Sequence, residues 1–402
     1  MTMALEIALI AVALVLAVPV LVLFLQVVAS LMPRRAARDP WGVRPRLAVL
    51  IPAHNEQFVI GKTLMSVARQ LAPGDRMVVV ADNCTDRTAE IARRNGAEVT
   101  VRSDPFHRGK GYALDHGLTF LDRSGAPEVV IFLDADCDLN DGCLQRLALR
   151  SVQSGRPVQA AYLMAPPRSR TKTAAMVCFA WKVKDFVRPL GWHRLGLPCQ
   201  LAGSGMAFPW NVARAVNLAS GHLAEDLKQG LDLALAGRFP IFCPDAVVIS
   251  DVAPGGKPSA SQRARWEHGT IAAAIEYLPR LLGRMFKAPS LSLLAMALDV
   301  SVPPLALLAL LLGGSLMLCA GFFFLSGAAA PMELCALLSV LFFATICLAW
   351  WGHGREIIPL HWLVFAPVYA LAKIPLYGRY FLNRQRAWVR GDRQAMTQAE
   401  KF

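Results

Sequence analysis

The residues best suited to chemistry are carboxylates at short spacing, and the densest group is Asp134-Ala135-Asp136. It follows the apolar run Val129-Val130-Ile131-Phe132-Leu133. A strand is therefore expected to deliver both carboxylates at its end, where i and i+2 side chains of an extended chain point the same way. Paired oxygen ligands of this kind suit Mg²⁺ or Mn²⁺ bridging phosphates, with the substrate supplying further ligands. Asp138 continues the acidic cluster and reads as peripheral.

Two earlier groups share this placement after an apolar run, and a third opens a helix. Pro52-Ala53-His54-Asn55-Glu56 puts Glu56 at a strand's carboxyl end, where it can accept from ribose hydroxyls or a base N–H; a plain strand-ending turn is the simpler alternative. Asp82 stands at the tip of the next run, placed to meet the imide N–H of a pyrimidine, and Thr85 is expected to cap the helix that follows. In Arg108-Gly109-Lys110-Gly111 the glycines let backbone amides approach an anion at a helix start, with Lys110 within reach of a diphosphate. The GxxxxGK[ST] spacing of a Walker loop is absent.

Further along, Gly203-Ser204-Gly205 reads as a tight turn that lets a ligand approach backbone. Glu225 and Asp226 fall at a helix start, where the macrodipole favours carboxylates whatever their use. Gln262, Arg265 and Trp266 stand at i, i+3 and i+4, so a helix would show amide, guanidinium and indole on one face. That face suits phosphate pairing and stacking, or a membrane interface.

These groups need a frame that brings strand ends together. Strands are expected at 47–51, 77–81, 98–101, 129–133 and 158–163, and helices at 57–71, 85–95, 109–121 and 141–153. Such alternation implies a mainly parallel sheet with helices on both faces, whose ligands bind at the strands' carboxyl ends. Around this frame the chain is greasy. Of its 402 residues 55% are hydrophobic and 18% charged, with mean hydropathy +0.40, too apolar for an ordinary soluble protein. Residues 4–31 carry one charge, Glu6, and are long enough to span a bilayer core of about 30 Å. The stretch from 290 to 380 is apolar again. Arg34, Arg35 and Arg38 follow the first run, which favours an uncleaved anchor with the next domain in the cytoplasm.

The net charge of +13 gathers near the membrane ends, at 34–46, 280–287 and 379–393, and no zinc-finger or RNA-binding signature accompanies it. Anionic lipid therefore explains it better than nucleic acid. Nine cysteines without CxxC pairing fit reduced thiols. The expected organisation is an anchor at 1–32, a cytoplasmic catalytic domain at 33–275, interfacial helices at 276–299, a transmembrane region at 300–380 and a basic cytoplasmic tail at 381–402.

Taken together and in this order, Pro-x-x-Asn-Glu, Asp82, Lys110, Asp-x-Asp, Glu-Asp and Gln-x-x-Arg-Trp resemble family 2 of glycosyltransferases, the group of cellulose, hyaluronan and chitin-oligosaccharide synthases. The resemblance covers residues 46–275 and the membrane arrangement. It implies an α/β, Rossmann-like GT-A fold, a nucleotide-diphosphate sugar (usually UDP), Mg²⁺ or Mn²⁺, and a bacterial inner-membrane enzyme. It also implies roles. Pro52, His54, Glu56, Asp82, Lys110 and Asp134 resemble donor contacts, and Asp136 the metal ligand. Asp226 resembles the general base, and Glu225, Gln262, Arg265 and Trp266 the groups at the diphosphate and acceptor. The implied reaction is a single inverting displacement onto a lipid-linked or glycan acceptor for a surface polysaccharide, with export or polymerase proteins as partners. A short-chain processive synthase, a ceramide-type glucosyltransferase and an inactive membrane scaffold are the alternatives. The few apolar segments speak against autonomous polymer export, and the intact carboxylates against the scaffold.

Overall fold

All five expected apolar runs become strands in the computed structural model, which describes residues 2–33, 42–165, 171–219, 224–250 and 260–382 (backbone only at 260–264 and 381–382). They are β1 (Leu47–Ala53), β2 (Arg76–Asp82), β3 (Glu98–Arg102), β4 (Val129–Phe132) and, after a short β5 (Cys137–Leu139), β6 (Val158–Met164). Two more, β7 (Met206–Pro209) and β8 (Ile241–Ser250), have no counterpart in the sequence reading. The eight strands form one sheet in the order β3-β2-β1-β4-β7-β6-β8-β5.

The first half of the sheet is parallel throughout, and the second half is mixed. β3, β2, β1 and β4 run together because helices Ile60–Ala68, Thr88–Arg94 and Lys110–Ser124 supply the crossovers that parallel pairing needs. Beyond β4 the expectation of a mainly parallel sheet fails. β7 runs antiparallel to both β4 and β6, and β5 antiparallel to β8, while β6 and β8 are parallel. Residues 47–51 are fully buried, as expected of a strand covered on both faces. The cover on one side is helix Lys110–Ser124, which seats Leu114, Leu118 and Leu121 on Leu50, Val80 and Phe132. It lies so close that a Cβ on Gly117 would stand 2.5 Å from Leu50 Cδ1. This sheet belongs to a unit formed by the described residues of 42–165 and 197–266.

The other unit takes the described residues of 2–33, 171–196 and 267–382. Four of its helical segments are long and apolar enough to cross a membrane: Thr2–Ser30, Leu305–Ser326, Ala330–His353 and Leu360–Tyr380. Residues 171–196 group with these helices. The reason lies in a buried polar knot. Arg188 donates to Gln26 Oε1 (3.0 Å) and to Asp299 Oδ1 (2.9 Å), and Gln26 donates to Asp299 Oδ1 (2.6 Å). Asp299, the one acidic residue of helix Leu291–Ser301, is thereby paired inside the unit, as burial of a charge requires.

Candidate active site

β4 ends at Phe132, one residue earlier than expected, and the chain turns at Ala135–Asp136 before entering β5. Asp134 and Asp136 therefore converge through a turn and not through the alternation of an extended strand. A carboxylate oxygen of each and Cys137 Sγ lie within 4.8 Å of one another. Two distant strands fix this turn. Asp134 N–H donates to Ser204 Oγ (3.0 Å), just ahead of β7, and Ser250 Oγ, the end of β8, donates to Asp136 Oδ2 (3.3 Å). Burial, then Asp136 and Asp134, push the Cys137 thiol well above its ordinary value, so it stays protonated. That leaves the two carboxylates as the donors for a hard divalent cation, and their chemistry fits one.

Lys110 opens its helix after Gly109, whose φ of 138° suits glycine. Its ammonium donates to Gly203 O (2.5 Å) and Asp134 Oδ1 (2.6 Å) and lies 3.8 Å from Asp226 Oδ1. Burial opposes the charge, but Asp134, Asp226 and Glu225 outweigh it and raise Lys110 above its ordinary value. The Gly111 amide, expected to meet a ligand anion, meets the chain's own: it donates to Glu225 Oε2 (2.8 Å). Burial first, and then the neighbouring Asp226, push Glu225 up to about 8, against the pull of Lys110, that amide and Arg265.

Glu225 and Asp226 begin helix Glu225–Leu235, as read from the sequence, but they face different partners. Asp226 lies against the backbone of Gly203, where a Cβ would come within 2.7 Å of Oδ2. Arg265 lies on helix Ala260–Lys287 and interacts electrostatically with Glu225, Asp226 and Asp134. Trp266 follows it, half-buried. The side chain of Gln262 lies outside the described residues.

A second group stands at the tips of β1 and β2. Asp82 Oδ1 accepts from Arg102 Nη1 (2.7 Å) and Asn83 Nδ2 (3.0 Å). His54 Nδ1 lies 2.6 Å from Asp82 O, and since a carbonyl only accepts, His54 carries its proton there. Pro52 is half-buried within β1. Glu56 follows β1 and its N–H donates to Thr88 Oγ1 (2.8 Å). Thr85 does not cap the next helix: that helix begins at Thr88, whose N–H is taken by Asp86 Oδ1 (2.9 Å), while Thr85 N–H donates to Asn55 Oδ1 (2.7 Å). Asp138 is tied to Ser66 (2.6 Å) and Lys62 (3.6 Å), peripheral as read.

The structure thus brings Lys110, Asp134, Asp136, Glu225, Asp226 and Arg265 together. It adds Ser250 and Arg102, which the sequence reading passed over, and gives Ser204, read there only as part of a tight turn, a side-chain bond to the Asp134 amide. Arg102 alone carried a signal, as a polar residue ending an apolar strand.

A family model described as "Glycosyltransferase like family 2" matches residues 45–269. The probable glycosyltransferase YdaM of Bacillus subtilis (strain 168) is 25% identical over 250 residues, which cover 58% of this chain and 57% of that protein. A 4,4'-diaponeurosporenoate glycosyltransferase of Staphylococcus haemolyticus (strain JCSC1435) is 37% identical over 99 residues, 24% of this chain and 25% of that one. The chain therefore spans little more than half the length of the first relative and a quarter of the second. Among solved structures, the mannosyltransferase PcManGT from Pyrobaculum calidifontis, in complex with GDP-Man and Mn²⁺, has the same fold. Its TM-score is 0.57 at 18% identity, with 96% of this chain and 100% of that one covered.

Proposed function

The chain belongs to the glycosyltransferase-like family 2, and from that premise we propose that it is an inverting, metal-dependent transferase acting at a membrane. Its donor is a nucleotide-diphosphate sugar and its acceptor a lipid-linked or membrane-proximal hydroxyl, in the building of a bacterial surface glycan. The observation that carries this reading is the contrast between the two adjacent carboxylates. Glu225 is buried and committed to the Gly111 amide, while Asp226 stands against Gly203 and within 3.8 Å of Lys110.

Asp226 is the general base. It takes the proton of the acceptor hydroxyl as that oxygen bonds to the anomeric carbon, and the carbon–oxygen bond to the diphosphate breaks with its electron pair leaving on phosphate. A single displacement from the opposite face inverts the anomeric configuration. Lys110 and Arg265 bring fixed positive charge to the departing diphosphate, where preorganised charge stabilises the transition state more than the ground state. Asp136, with Asp134, would hold the divalent cation, which supplies further charge neutralisation at the phosphates. Glu225 positions: it ties the start of helix Lys110–Ser124 to the residue before the base. Asp82 and Glu56 contact the nucleoside, with His54 and Pro52 shaping the strand end behind them, and Gln262 and Trp266 act beside Arg265 at the acceptor. The four long apolar segments support a membrane location, and Arg34, Arg35 and Arg38 support a cytoplasmic catalytic unit at a bacterial inner membrane.

The test is to incubate membranes containing the protein with a panel of UDP- and GDP-sugars and to identify the lipid-extractable product. Its anomeric coupling constant should report inversion, and Asp226→Asn should remove transfer by about 10²–10⁴-fold while nucleotide binding persists. Retained configuration, or a parallel collapse of nucleotide binding in that variant, would refute the assignment.

A further inference from the structure

The fold alone does not choose a donor base, since the mannosyltransferase that shares it carries GDP-Man. The choice is written in how Asp82 is held. Asp82 and Arg102 are register partners on the parallel pair β2 and β3, and they form an ion pair at 2.7 Å with both side chains only 10% exposed. Arg102 is itself immobilised. Its Nη2 donates to Asp104 Oδ2 (3.0 Å) and His107 O (2.8 Å), and its guanidinium carbon lies 5.6 Å from the ring centroid of Tyr112. The Asp104 carboxyl is held down at about 2, by hydrogen bonds from the His107 amide and side chain, so it stays a charged partner.

The consequence falls on the free capacity of Asp82. Its Oδ1 already accepts from Arg102 Nη1 and Asn83 Nδ2, which uses both lone pairs of that oxygen. One carboxylate oxygen, Oδ2, is left to read a base. Guanine presents two parallel donors, N1–H and the 2-amino group, which a carboxylate satisfies by using both oxygens. Uracil and thymine present a single imide N–H between two carbonyls. Adenine and cytosine present a bare ring nitrogen there, an acceptor facing an acceptor. A carboxylate with one oxygen engaged matches the imide. It leaves a guanine donor unpaired, and releasing Oδ1 for it would mean detaching Arg102 from Asp82. Sites that leave a polar group unpaired discriminate far more strongly than those that lose apolar contact.

We propose that Arg102 is a specificity-determining residue that restricts the donor to a uridine- or thymidine-type nucleotide by occupying one oxygen of Asp82. This rests on the reading above that Asp82 contacts the donor base.

The experiment is titration of the purified full-length protein with UDP and with GDP, in Mg²⁺, for the wild type and for Arg102→Met, Arg102→Lys and Asp82→Asn. The wild type should bind UDP at least about 100-fold more tightly than GDP. Arg102→Met frees one lone pair of Oδ1 and should bring the ratio to within about tenfold, whereas Arg102→Lys, which keeps a cation on Oδ1, should retain most of it. A wild-type ratio near one, or favouring GDP, overturns the proposal without reference to any variant. An unchanged ratio in Arg102→Met overturns it too. UDP binding that is insensitive to Asp82→Asn, or absent altogether, removes instead the assignment of the base site on which the proposal stands, and the proposal falls with it.

Discussion

Gly203 and Asp226 touch only because Gly203 has no side chain: a Cβ there would stand 2.7 Å from Asp226 Oδ2. The same glycine has a φ of 98° and gives its carbonyl to Lys110 at 2.5 Å. One residue therefore sets the distance between base and cation. Gly203→Ala should displace Asp226, strain the turn and lower kcat by about 10²-fold, the usual cost of a misplacement near 1 Å. UDP binding should weaken much less than kcat, because the nucleoside contacts Asp82 and Glu56 lie elsewhere. Activity within twofold of wild type would show that Asp226 can swing aside, and the positioning argument would fail.

Asp136 Oδ2 accepts from Ser250 Oγ at 3.3 Å, a bond that the oxygen of an amide can also accept, so Asp136→Asn should leave the fold intact. Asp136→Asn should lower turnover by at least about 10²-fold, since a catalytic cation contributes several kcal/mol at the phosphates. Thermal unfolding should be nearly unchanged and Mn²⁺ binding in the presence of UDP should be lost. Near-normal transfer by this variant in excess EDTA would sink the metal assignment.

These two predictions differ in how far the sequence led to them. Asp136 was legible because the apolar run ahead of it announces a strand and its carboxyl end. The turn that brings Asp134 and Asp136 together was not, because it depends on Ser204 and Ser250, which reach it from strands far along the chain. β7 is only four residues long and follows Gly-Ser-Gly, so local pattern shows a tight turn and hides the strand. Its antiparallel pairing with β4 joins residues such as Val129 and Pro209, and no window of sequence contains both. The Asp82–Arg102 pair was hidden in the same way, since it needs the register of β2 against β3. The contacts of Arg188 with Gln26 and Asp299 are hidden likewise, because the partners lie more than a hundred positions away on either side.

Glu225 makes stability depend on pH. Burial and Asp226 raise its pKa in the folded protein from the ordinary 4.5 to about 8, so the native state keeps a proton that the unfolded state releases earlier. Between those two values the native state binds more protons, and stability must fall as pH rises through the window. Glu225→Gln retains an oxygen for the Gly111 amide but removes the titration. The thermal midpoint of the wild type should decline across this range, and that of the variant should stay nearly flat. Parallel profiles would show that another group carries the dependence.

The last expectation concerns the side on which the chain ends. Counting all four long apolar segments as crossings would put residues 383–402, with Arg384, Arg386, Arg390 and Arg393, opposite the catalytic unit. That runs against the tendency of basic residues to remain in the cytoplasm. The fourth segment is also built unlike the others. It comprises a 3₁₀ stretch, Leu360–Phe365, a short helix, Ala366–Leu371, a turn, and a helix from Ile374. Lys373, in the middle, donates to Glu267, and so does the hydroxyl of Tyr377. Glu267 lies on a helix that also carries Glu276, Arg280, Arg284 and Lys287, charges that do not enter hydrocarbon singly. Lys373 must then lie at a polar level, halfway along the supposed crossing. Leu360, Val364, Val368, Leu371 and Ile374 are exposed at spacings of one helix face, whereas Leu363, Ala370, Tyr377 and Tyr380 are buried on the other. A segment broken in this way, with Lys373 at a polar level and an apolar face exposed, fits the membrane interface with that face in lipid. Helix Leu291–Ser301 offers no compensating crossing, because eleven residues rise only about 16 Å. The carboxyl end should therefore share the side of the catalytic unit. A thiol introduced by Lys373→Cys should react with an impermeant reagent only from that side, and a reporter fused after Phe402 that is active only outside the cytoplasm would overturn the arrangement.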